Sequence, residues 1–67
     1  MITKQEAIER ANALTLDNIR YYMGNPTAKY ERCAHWHSNF ILWIVRHYVE
    51  NRDNFAMIIA DYNTAIR

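Results

Sequence analysis

A chain of 67 residues with one cysteine is a single small domain, too short for a second core and without an internal disulfide to brace the first. Its 51% hydrophobic and 13% aromatic content excludes a disordered tail, and its one glycine excludes collagen-like or linker-like chains. Eight Lys and Arg against seven Asp and Glu leave a net charge of +1, which excludes a general field for phosphate backbones or acidic membranes.

The first segment opens with Thr3-Lys4-Gln5-Glu6, a capping-box pattern that marks a helix start at Thr3. At 100° per residue, Ile8, Ala11, Thr15, Ile19 and Tyr22 form one stripe, with Leu16 and Met23 beside it and Glu6, Arg10 and Asp17 opposite. The spacing predicts one amphipathic helix over 4–23. Gly24 is placed for the left-handed position past its end, with Pro26 following.

Asn25 as N-cap and Pro26 as first helical residue predict a long central helix over 26–50, since nothing interrupts it before Asn51. Its main stripe is Tyr30, Cys33, His37, Phe40, Ile41, Ile44 and Tyr48. Leu42, Val45 and Val49 fall on the other side, and Trp36 and Trp43 flank the stripe seven residues apart. The run Phe40 to Val45 also has the composition of a buried strand, but a lone strand finds no pairing partner in this chain. Asp53 is the expected cap of a third helix over 54–66, with Phe55, Ile58, Ile59, Tyr62 and Ile66 on one face. The fold class is therefore all-α, a three-helix arrangement with a long central helix.

If the outer helices cover the Cys33 to Tyr48 stripe, the Leu42, Val45 and Val49 side is left for a second copy and a two-fold dimer; a closed monomeric bundle, with Trp36 and Trp43 buried against the first and third helices, is the alternative. A domain of this size hides only about 60% of its unfolded surface, so covering more of it by association is expected. Tryptophans supply large anchors with few rotors, and Trp36, Phe40, Leu42, Trp43, Val45 and Val49 are the candidate protein interface. The expectation is a non-enzymatic interaction or regulatory protein that binds itself and another protein through this aromatic and aliphatic helix face. No cofactor is expected.

Two other classes bear on particular residues. A nucleic-acid-binding regulator would use Arg20, Lys29 and Arg32 as a basic ridge near the first turn. A helix-turn-helix reading fails on the third segment, whose polar positions Asn54, Asp61, Asn63 and Thr64 include no Lys or Arg. Cys33 and His37, four residues apart, are a weak pair of metal ligands; His35 projects away from Cys33, and His47 is ten residues beyond His37. A Cys33–His37 nucleophile and base would lack an orienting group and an oxyanion loop.

Local ion pairs are expected for Glu6 with Arg10, Asp17 with Arg20 and Arg46 with Glu50. The start Met1 to Glu6 has no apolar stretch of the leader type. The longest apolar run, Phe40 to Val45, is far short of the ~20 residues that span a bilayer. A cytoplasmic setting without membrane insertion is the expectation.

Overall fold

Thr3 starts the first helix as its sequence predicts: in the computed structural model, which describes residues 2–48 and 50–67, its hydroxyl accepts from the Glu6 amide at 3.1 Å. Four helices follow among the described residues, with no strand: α1 (Lys4–Asn12), α2 (Leu16–Met23), α3 (Tyr30–His47) and α4 (Phe55–Ala65).

The single helix expected over 4–23 is two. Thr15 stands in extended conformation and caps α2: its hydroxyl accepts from the Asn18 amide while the Asn18 side chain accepts from the Thr15 amide. A threonine that satisfies its own backbone in this way competes with helix continuation, and periodicity does not register the competition. Thr15 is exposed rather than part of the apolar stripe. The break lets α1 and α2 each pack on α3. Ala7 and Ala11 are the buried positions of α1, small enough for a close approach of the two backbones.

Gly24 ends α2 with φ 74°, and the Asn25 amide donates back to the Arg20 carbonyl at 3.1 Å, closing a Schellman turn. A Cβ at Gly24 would meet nothing within 4 Å, so glycine is favoured here by backbone conformation alone.

α3 begins at Tyr30, four residues later than expected. The Asn25 side chain accepts from the Thr27 amide at 3.2 Å, which makes a turn at Pro26 in place of a first helical turn. Lys29 is then extended, and the buried Ala28 turns its carbonyl to the Arg20 side chain at 3.1 Å. At the other end α3 stops at His47 rather than at 50. Tyr48 leaves in extended conformation with its hydroxyl donating to the Ile2 carbonyl, which ties the end of α3 to the start of the chain.

Cys33, Trp36, Phe40 and Ile44 are the buried side of α3. Tyr30, expected on that stripe, is 67% exposed. Against this side α4 sets Ile58, Ile59 and Tyr62, starting from Asn54 rather than Asp53: the Asn54 side chain accepts from the Ala56 amide at 2.9 Å. Phe40 is the hub, with its ring centroid 5.3 Å from that of Trp36, 5.1 Å from Tyr62 and 6.1 Å from Phe55.

Asn63 pins three helices together. Its side-chain oxygen accepts from the Trp36 indole at 3.0 Å, and its amide donates to the Tyr22 carbonyl at 2.7 Å. Of the expected ion pairs, Asp17–Arg20 forms at 3.6 Å, while Glu6–Arg10 and Arg46–Glu50 do not close among the described residues. Arg52 instead bonds Asp61 and fastens the α3–α4 connection to α4.

Candidate functional site

The six candidate interface residues part company in the structure. Trp36 and Phe40 belong to the interior, at 6% and 0% exposure: Phe40 is wholly covered, and Trp36 reaches the surface only where it lines a hollow with Tyr62. Their burial follows from α4, whose Tyr62 lies edge-on to Trp36 at 5.3 Å and donates its hydroxyl to the Trp36 carbonyl at 3.3 Å. Burial raises the Tyr62 phenol pKa above its ordinary value, because the ionised form would lose its water.

Trp43 is half-buried. Its ring is 6.5 Å from Phe40 and 5.8 Å from Tyr62, so one face completes the core and the rest is open. Leu42 and Val45 are exposed at 51% and 47%, on the part of α3 that α1, α2 and α4 leave uncovered. Val49 lies outside the described residues. The surface that remains is built from Leu42, Val45 and the open part of Trp43.

The basic ridge loses its first member to the fold. Arg20 is half-buried, pairs with Asp17 and donates from Nε to the Ala28 carbonyl. Lys29 and Arg32 are exposed at the start of α3.

Cys33 is fully buried with its sulfur 3.9 Å from the Ala28 carbonyl oxygen. His37 is four residues on, and its Nε2 lies 2.6 Å from the Ala11 carbonyl oxygen; a carbonyl only accepts, so Nε2 carries the proton and donates. The two line a hollow of about 250 Å³ with Leu14, Leu16 and Ile19. His37 thus acts as a clasp between α3 and the last turn of α1, and the nitrogen so used is not open to a metal. Among the described residues, no three His, Cys, Asp or Glu side chains gather as a ligand set. No helix is long and apolar enough to cross a membrane among the described residues.

Sequence reasoning did not find the channel beside Leu42. A hollow of about 460 Å³ opens where the end of α2, the first half of α3 and the end of α4 meet, over Met23, Trp36, Tyr62 and Ile66. A second, of about 210 Å³, runs on past Leu42 and Trp43 to Arg46, and shares Asn39, Tyr62 and Ile66 with the first. The strip along α3 was legible only in part: Arg32, His35, Asn39, Leu42 and Arg46 follow 3–4 spacing, but α4 had to be placed before they became one wall of a groove.

No protein-family model, curated protein or solved structure matches this chain.

Proposed function

We propose that the chain is a small helical interaction protein that binds and modulates another protein by covering its surface, and that it does so as a homodimer rather than by catalysing a reaction. One observation carries the reading: Leu42 and Val45 stand exposed, with Trp43 half-open beside them, on a helix whose opposite side already has a complete aromatic core. A half-open tryptophan ring among exposed aliphatic side chains forms an apolar patch of the kind found at the core of an interface. A two-fold pairing of this side of α3 would set like faces together and bury both copies of Leu42 and Val45.

The reading is tested by sedimentation equilibrium across micromolar concentrations on the native chain, Leu42→Glu and Val45→Glu. Both replaced residues are exposed, so the variants keep the core, and circular dichroism verifies it. The expected result is a dimer for the native chain and weakening by about tenfold or more for each variant, the consequence of burying an unpaired carboxylate. A mass that is the same for all three chains overturns it.

A further inference from the structure

We infer that the groove between α3 and α4 receives an amphipathic helix from another protein, one whose apolar face is flanked by acidic residues. The inference rests on the reading of the chain as an interaction protein and names the chemistry of its partner.

The groove has the length and lining of a helix-binding cleft. From Arg32 to Arg46 it follows α3 for fourteen residues, about 21 Å at 1.5 Å per residue, or roughly four turns of a docked helix. Trp36 and Tyr62 make its floor, and Leu42 and Ile66, 51% and 54% exposed, stand up along it as apolar contacts. A helix presenting apolar residues at 3–4 spacing would cover all four.

Charge selects the occupant. Arg32 at one end and Arg46 at the other both line the groove, are exposed, and form no ion pair among the described residues. His35 and His47 stand on the same walls, and Glu31 is the one carboxylate among the lining residues. Carboxylates on a docked helix would meet an arginine at each end. Lysines there would meet the same two arginines and be repelled.

The same arrangement disfavours a second copy of this chain. Asn39 is midway between Arg32 and Arg46, so a two-fold pairing of the groove with itself sets Arg32 of one copy against Arg46 of the other. The groove and the Val45 side of α3 meet at Leu42 and Trp43, which line the groove, while Val45 lines no part of it.

The experiment uses the full chain and two synthetic helical peptides, four turns long, with identical leucine faces flanked in one by glutamates and in the other by lysines. Titration by fluorescence anisotropy at low and high salt is run on the native chain, Val45→Glu and the double variant Arg32→Glu, Arg46→Glu. The expected result is that the glutamate peptide binds at least about tenfold tighter than the lysine peptide, loses affinity with salt, and is weakened about tenfold by the double variant. Val45→Glu binds it at least as tightly as the native chain does, since Val45 lies outside the groove and loss of self-association uncovers Leu42 and Trp43, which separates this site from self-association. Amide shifts in NMR spectra on peptide addition are expected at Met23, Asn39, Leu42 and Ile66.

Equal binding of the two peptides, binding of neither, or shifts confined to other residues overturns the inference. So does self-association that the arginine variant abolishes, or a short DNA duplex bound with the same dependence on Arg32 and Arg46. Loss of the dimer in Val45→Glu without change at the groove leaves the inference standing, so the failure of either proposal is read independently.

Discussion

The two sides of α3 are built from similar residues and do opposite things. On one, Cys33, Trp36, Phe40 and Ile44 are buried under three other helices; on the other, Leu42 and Val45 stand in water. Leucine and valine, like cysteine and isoleucine, are residues commonly found fully buried, so the difference is one of what packs against each side. The neighbours also settle the two tryptophans. Trp36 has Asn63 for its indole and Tyr62 for its ring, and is interior, whereas Trp43 shares only part of its surface with Phe40 and Tyr62.

The sharpest way to break this comparison is to truncate one residue on each side. Phe40→Ala opens a cavity at the hub of five aromatic rings and is expected to cost about 3–5 kcal/mol, enough to unfold much of so small a domain. Val45→Ala is expected to stay within about 0.5 kcal/mol in the monomer. Urea unfolding at submicromolar concentration checks both, and similar losses for the two would contradict the assignment of sides.

A smaller effect probes the polar clasp across the core. Asn63→Ala removes the acceptor of the Trp36 indole and the donor to the Tyr22 carbonyl, and is expected to cost about 1–3 kcal/mol. Exposure of the indole should appear as a red shift of its fluorescence. An unchanged midpoint and spectrum would mean that the clasp contributes nothing.

The smallest effect sharpens the comparison through pH. Burial holds the Tyr62 phenol above its ordinary pKa, and burial, then the charges of Glu50 and Glu6, do the same for Tyr48. Above about pH 10 the unfolded chain releases these protons before the folded one does, so the folded state binds more protons and stability falls as pH rises. Below that pH this contribution is complete. Tyrosinate absorbance is expected to show Tyr62 and Tyr48 ionising at higher pH in the folded chain than in the chain unfolded by urea, with the unfolding midpoint falling over the same range. Ionisation of Tyr62 and Tyr48 over the same range in the folded and the unfolded chain would contradict it.

Much of the fold was legible because it is encoded locally. The Thr3 cap and the Gly24 turn each need only a few consecutive residues, and α4 over 55–65 departs by one residue at each end from the periodic reading. Thr15 was misread because an apolar stripe and a capping threonine can share a position, and the hydrogen bonds to Asn18 outweighed the stripe. Pro26 was misread for a related reason: Asn25 serves both as a helix cap and as a turn former, and its bond from the Thr27 amide, with the bond that Arg20 donates to the Ala28 carbonyl, goes with the turn. Asn63 carried no signal at all, since a polar residue on the open side of a helix looks the same whether water or an indole lies against it.

By itself the sequence determined that the chain is all-helical, that the central helix is the longest, and that apolar residues fall on more than one of its sides. These follow from spacing, capping and composition, which act over a few residues. Only the tertiary structure decided that Trp36 and Phe40 are interior, that Arg20 is used by the fold, and that Arg32, Leu42 and Arg46 line one groove with Ile66. The reason is geometric: periodicity specifies which residues share a side of a helix, and which side is covered depends on where the other helices come to rest.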